Sequence, residues 1–197
     1  MAAAGAPAGL KSALLVVDMQ NDFCLPGSVL CVGDAMVCLP KVVEAVDLAR
    51  SKGVPVIWMI REHDAEGTDV ELFRQPMFKA GKASTVPGTK GVELVEPLAA
   101  AAGERVLVKK RFSAFFATEL DMVLRRMGVQ HVVIAGVQTP NCIRGTAWDA
   151  LALDYPRVTV LADATASRSE AVQAANLEDM RCASVHTPTV AEWAAQL

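Results

Sequence analysis

A chain of 197 residues, 52% of them hydrophobic, with a formal net charge of −3, is long enough for one domain with a full core and too apolar to stay disordered. The mildly acidic balance, without any basic run, argues against a nucleic-acid surface. No apolar segment reaches the ~20 residues that a membrane span needs.

The first residues, MAAAGAPAGLKS, lack the charged start and long apolar stretch of a signal peptide. Residues 1–11 read as a flexible tail and residues 12–197 as a single domain. Ala13 to Val17 form an uncharged apolar run, the mark of a parallel strand covered on both faces. The run ends in Asp18, and in open α/β sheets functional groups lie at the carboxyl ends of strands. From about Leu39 to Lys52, Val42, Val43, Val46 and Ala49 recur at helical spacing, with Pro40 in the first turn and Gly53 just past the end. A second apolar strand spans Val54 to Ile60 and delivers Arg61, Glu62, His63 and Asp64 at its carboxyl end. Residues 64–92 are polar and rich in Gly and Pro, a long irregular segment of the kind that often carries function. A short helical turn from Val92 to Glu96 follows.

Arg105 to Val108 form a further strand, ending in Lys109, Lys110 and Arg111. Thr118 caps a helix whose buried stripe is Leu120, Val123 and Leu124 and which Gly128 closes. Val132 to Val137 form another fully apolar strand. After the turn Gln138-Thr139-Pro140-Asn141, a helix begins at Cys142 and runs to about Leu153. Val158 to Leu161 are a strand, Ser169 to Met180 a helix, Ser184-Val185 a short edge strand, and Thr189 to Gln196 a last helix. Strand and helix alternate throughout without a hairpin signal. That pattern specifies a three-layer α/β/α, doubly wound fold around a central, mostly parallel six-stranded sheet.

Asp18, Lys109 and Cys142 then fall at the carboxyl ends of three strands. A cysteine where a strand turns into a helix faces free N–H groups, which stabilise a thiolate and can cradle an oxyanion. A thiolate attacks a carbonyl, a carboxylate relays the proton to the leaving amine, and a lysine balances charge. The five cysteines, Cys24, Cys31, Cys38, Cys142 and Cys182, are an odd number with no Cys-x-x-Cys pair, which suits free thiols in a reducing, cytoplasmic setting. The seven-residue recurrence of the first three is read as chance.

Residues 12 to about 190 resemble the isochorismatase-like cysteine hydrolases, a family that includes nicotinamidases, N-carbamoylsarcosine amidohydrolases and ureidoacrylate amidohydrolases. LLVVDMQNDF matches the family's first-strand motif and carries the catalytic aspartate onto Asp18. KKRFSAFF matches Lys-x-Arg-Tyr/Phe-Ser-Ala-Phe and places the lysine at Lys109. AGVQTPNCIRGTAWDA matches Gly-Val-x-Thr-x-x-Cys and places the nucleophile at Cys142. GTKGVEL and DATAS are further family features. The resemblance implies a cis peptide between Val137 and Gln138, an oxyanion hole from the N–H groups of Gln138 and Cys142, and a homo-oligomer. It implies a small-molecule amide or ureido substrate.

The departure concerns metal. Nicotinamidases hold a divalent ion through an Asp-x-His pair and a second downstream histidine. Here Arg61 replaces the aspartate and no histidine occurs between His63 and His131, so neither a metal nor a cofactor is expected. His63 reads as a loop anchor or a substrate contact. Arg61 at a strand end suits an anionic substrate, with pairing to a loop carboxylate as the competing account. Phe23, Phe115 and Phe116 are further candidates for the pocket wall. Arg144 either meets an anion or pairs with Asp149 or another carboxylate. Trp58 and Phe112 read as core, His131 and His186 as surface. Two alternatives to an amidohydrolase stay open: a protein of this fold that binds without catalysing, and an isochorismate-type vinyl ether hydrolase, which Cys142 disfavours.

Overall fold

The computed structural model describes residues 9–197; residues 1–8 of the expected tail lie outside the described residues. Five strands form the sheet: β1 (Ser12–Val17), β2 (Val56–Arg61), β3 (Arg105–Lys109), β4 (His131–Val137) and β5 (Arg157–Ala166). Their order is β3-β2-β1-β4-β5, and every pair is parallel. The helices are α1 (Asn21–Cys24), α2 (Ala35–Ser51), α3 (Gln75–Lys79), α4 (Leu120–Arg126), α5 (Arg144–Ala152), α6 (Glu170–Cys182) and α7 (Val190–Ala194). None of them is long and apolar enough to cross a membrane.

The uncharged strands are explained by two cores, one on each face. On one face Leu14, Val16, Trp58 and Val133 meet Val42 and Val46 of α2 and Trp193 of α7. On the other, Leu15, Val17, Ile57 and Ile134 meet Leu120 and Leu124 of α4, Ala147 and Ala150 of α5, and Met180 of α6. Successive residues of β1 thus serve opposite cores, and both faces require apolar side chains. β4 lies tightly against β1 because position 136 is glycine: a Cβ there would strike the backbone of Val17, and its φ of 111° lies where side chains are rarely tolerated.

Several expectations shift. The sheet has five strands among the described residues, not six. Ser184-Val185 does not form a strand; the segment touches β5 through a single bridge between Thr159 and His186, with Val160 N–H donating to His186 O and His186 N–H to Val158 O. Pro188 accepts one further bond, from Ala162 N–H, but itself has no N–H with which to continue a ladder. α2 starts a turn earlier than the valine pattern suggests, so Pro40 sits inside the helix. The lost N–H bond falls on an exposed turn, where Val37 is 75% exposed and water can serve the orphaned carbonyl. β5 runs past Leu161 through DATA, because the register jumps between Ile134, opposite Val160, and Gly136, opposite Thr165. His131 is buried, contrary to its surface reading: its ring lies between Ser12 Oγ (2.9 Å) and Thr159 Oγ1 (2.8 Å), spanning β1, β4 and β5.

Candidate active site

The sheet order sets the site. The chain builds β1, β2 and β3 outward to one side, then returns to place β4 and β5 on the other. A topological switch point therefore falls between β1 and β4, where α/β folds open a crevice at the carboxyl ends of their strands. Asp18 directly follows β1, Arg61 ends β2, Lys109 ends β3, and Cys142 follows β4. Arg61 and Lys109 lie opposite each other in the strand register.

Lys109 Nζ stands 2.8 Å from Asp18 Oδ2, with both side chains buried. The ammonium also donates to the carbonyls of Arg111 (3.1 Å) and Phe112 (3.2 Å), so its three N–H groups are all used. Asp18 has a φ of 53°, which turns the chain sharply out of β1.

Cys142 lies in a π-helical turn, Thr139–Ile143, that runs into α5. The helix thus begins before Cys142 rather than at it. The peptide between Val137 and Gln138 is cis. Thr146 Oγ1 donates to Cys142 O (2.6 Å) and accepts from Ala114 N–H (2.9 Å), which joins the RFSAF segment to the turn that holds Cys142. Thr139 Oγ1 donates to Ala166 O, tying the same turn to β5. Burial raises the Cys142 thiol above its usual range and the Asp18 charge raises it further; Lys109 and Arg61 oppose them without prevailing. Burial thus works against the thiolate that a helix N-terminus alone suggests.

Arg61 is fully buried. Its Nη2 lies 3.8 Å from Cys142 Sγ, and its Nη1 donates to Glu71 Oε1 at 2.7 Å. Burial by itself would favour loss of the guanidinium proton, but the facing Cys142, Asp18 and Glu71 hold the charge in place. Glu71 also pairs with Arg74, 3.1 Å from Nε to Oε2. Both guanidiniums pack on Phe112, at 5.5 and 6.0 Å from the ring centroid. The ring expected in the core is thus a half-buried platform for two arginines.

Gln20, Asn21 and Asp22 were not singled out by sequence, yet they fasten the long 64–92 segment to the site. Gln20 Oε1 accepts from Arg61 N–H (2.7 Å), while Nε2 donates to Arg61 O (2.8 Å) and Val92 O (2.9 Å). Asn21 donates to Lys90 O, and Asp22 accepts from Thr85 N–H (2.6 Å). Three polar residues directly after a buried strand were the available signal, since such groups need partners close by.

The remaining candidates separate. Phe23 is buried in the core beneath α2. Phe115 packs on Tyr155 with ring centroids 5.6 Å apart, and Phe116 is 58% exposed. Arg144 bonds Asn176 and Asp179 of α6 and lies over Trp148; it joins α5 to α6 rather than pairing with Asp149. His63 bonds Asp69 at 3.0 Å and meets Phe78 edge-on, and burial lowers its pKa. It anchors the loop. Among the described residues no group of three His, Cys, Asp or Glu side chains is placed to hold a metal ion, and Arg61 puts a cation where the relatives' metal ligand would stand. The site does not fit the nicotinamidase metal.

A parallel α/β sheet with a buried carboxylate, a lysine and a thiol converging at its switch point has the architecture of a hydrolase. Residues 12–192 match the family model described as the isochorismatase domain, and the chain belongs to the isochorismatase-like hydrolase family. It is 50% identical over 189 residues to an Arabidopsis thaliana protein named "Probable inactive nicotinamidase", covering 95% of this chain and 96% of that one. Among solved structures, an isochorismatase family protein from Desulfovibrio vulgaris superposes with a TM-score of 0.90 at 45% identity, over 93% of this chain and 96% of that one. N-carbamoylsarcosine amidase from Thermoplasma acidophilum superposes with a TM-score of 0.76 at 30% identity, over 92% of this chain and 97% of that one.

Proposed function

We propose that this protein is a cysteine-dependent amidohydrolase that cleaves a C–N bond of a small amide or ureido substrate without a metal. The observation that carries this reading is the buried Asp18–Lys109 ion pair, 2.8 Å apart, gathered with the buried Cys142 at the carboxyl ends of the strands. Asp18 takes the Cys142 proton as Sγ bonds to the substrate carbonyl carbon. The N–H groups of Gln138 and Cys142 receive the negative oxygen. As the intermediate collapses, the C–N bond breaks and Asp18 returns the proton to the leaving nitrogen, leaving a thioester on Cys142. Water then attacks the thioester, giving its proton to Asp18, and the C–S bond breaks to regenerate the thiol. Lys109 keeps the carboxylate in position. A cytoplasmic location and a homo-oligomer are part of the same proposal; all five cysteines are free, in keeping with a reducing compartment.

A second reading, binding without turnover, draws on the name of the Arabidopsis relative and on Arg61 lying against the thiol. Ammonia release from a panel of small amides and ureido compounds separates the two. The amidohydrolase reading expects turnover that Cys142→Ala and Asp18→Asn both abolish. No turnover on any member, with tight binding retained, favours the second.

A further inference from the structure

A second cleft, of about 510 Å³, opens past the carboxyl end of β5, beside the starts of α2 and α6. None of Asp18, Arg61, Lys109 or Cys142 lines it. Asp34, Val37, Cys38 and Lys41 supply one wall, at the spacing that puts residues on one face of a helix. Ser167, just after β5, and Gln173 of α6 supply more of it. These elements are drawn close: Asp34 N–H donates to Ser167 O at 3.1 Å, and a Cβ on Gly33 would lie 3.0 Å from Arg168 O. Ser167 is fully buried, yet its Oγ has no hydrogen-bond partner among the described residues, and neither has Gln173 Oε1. The Gln173 amide nitrogen is spent on Ala162 O, Thr165 O and Thr165 Oγ1, so its acceptor alone is open. Buried polar groups are nearly always matched, and two unmatched ones in the wall of one cleft point to a ligand.

Charge decides which ligand. Asp34, Asp163 and Glu170 line the cleft, and Lys41 is the one cation in its wall. Lys41 Nζ bonds Glu44 at 2.6 Å and stands 4.0 Å from Asp163 Oδ2; Asp163 Oδ1 accepts from Val190 N–H. The starts of α2 and α6 each bring about half a positive charge. With Lys41 balanced by Glu44, the three carboxylates still exceed those two halves by about two negative charges. The rest of the wall is apolar: Val37, Ala166 and Cys38, whose thiol burial pushes up to about 12 and so keeps neutral. Among the described residues no group of three His, Cys, Asp or Glu side chains is placed to hold a metal ion. We infer that this cleft is a second binding site, separate from the catalytic one, for a short aliphatic amine held as its ammonium ion. The ammonium carries three N–H donors for Ser167 Oγ, Gln173 Oε1 and the Asp34 carboxylate, and its hydrocarbon stem covers Val37 and Cys38. An anion meets the carboxylates unfavourably, and a neutral alcohol brings one donor for three acceptors.

The test titrates isotope-labelled protein with butylammonium chloride, butan-1-ol and sodium butanoate at fixed ionic strength and follows the amide NMR shifts. Butylammonium should move the amides of Asp34, Ser167 and Gln173 together, with a Kd of about 1 mM or below. Butan-1-ol should bind at least about tenfold more weakly, and butanoate should leave these amides where they are. Ser167→Ala should weaken butylammonium about tenfold without lowering the denaturation midpoint, because it deletes an unmatched group. Asp34→Asn keeps a good helix cap and removes the charge, so it should weaken binding as much; it serves alone if Ser167→Ala folds poorly. Asp18→Asn should leave the affinity unchanged. Equal affinity for the amine and the alcohol, or an amine affinity indifferent to Ser167→Ala and Asp34→Asn, overturns the inference. So does binding lost in Asp18→Asn, which places the amine in the catalytic crevice, and so does the absence of any shift.

Discussion

Asp18, Lys109 and Cys142 could be read from sequence because each ends an uncharged run or matches a motif, and a strand end is a fixed address. What surrounds them could not. The strand-to-helix junction at Cys142 was visible, but the burial and the Asp18 charge that raise its thiol depend on strands β1 and β4 meeting, which only folding shows. Arg61 was visible at the end of its strand; that its partner is Glu71 was not, because that pairing depends on how residues 64–92 fold back. Gln20 matters for this reason. It is fully buried and satisfies both backbone groups of Arg61. Gln20→Met keeps the volume and removes the side-chain partners of the two buried Arg61 backbone groups, and of the half-buried Val92 O. Stability should fall by about 2–4 kcal/mol, read by denaturant unfolding, and kcat/KM should fall with it. A variant as stable as the wild type would show that Gln20 does not hold Arg61.

At the level of elements, alternation of strand and helix carried the fold, and errors gathered where local pattern gives way to tertiary contact. The first long helix begins at Ala35, where Ala35, Cys38 and Leu39 carry its buried stripe back a turn; small Ala35 and Cys38 are weak apolar signals, and exposed Met36 and Val37 blur the period. The last strand is lost because Thr187 and Pro188 lie beyond its single bridge. His131 stands just before the apolar run in sequence, as surface residues often do, yet it opens β4 and packs across three strands. Burial, with help from Arg157 and His186, lowers its pKa to about 3. A histidine whose folded pKa is below its unfolded value of about 6.5 contributes fully above pH 6.5, and that contribution is lost as pH falls toward 3. Between pH 7 and pH 5 the protein should lose about 2 kcal/mol through this group. Chemical denaturation at the two pH values, compared with His131→Asn, measures it. An equal pH dependence in the variant would contradict the assignment.

At the scale of the whole molecule, the order β3-β2-β1-β4-β5 gathers four strand ends into one row and supplies a carboxylate, a lysine, an arginine and a thiol. The order was not legible as such, since parallel alternation permits several, but every reactive group lies where a doubly wound sheet puts function. With Arg61 in place of a metal-binding aspartate, elemental analysis of the purified protein should find no stoichiometric zinc, iron or manganese; one metal per chain, lost in His63→Ala, would contradict this. The central claim is that Cys142 bonds to the substrate carbonyl carbon. Its most direct test is intact-mass spectrometry of enzyme quenched with acid during turnover of N-carbamoylglycine, followed by peptide mapping. A mass gain equal to the acyl fragment, located on the Cys142 peptide and absent from Cys142→Ala, is the expected result. Turnover that persists in Cys142→Ala, with no adduct in the wild type, would contradict it.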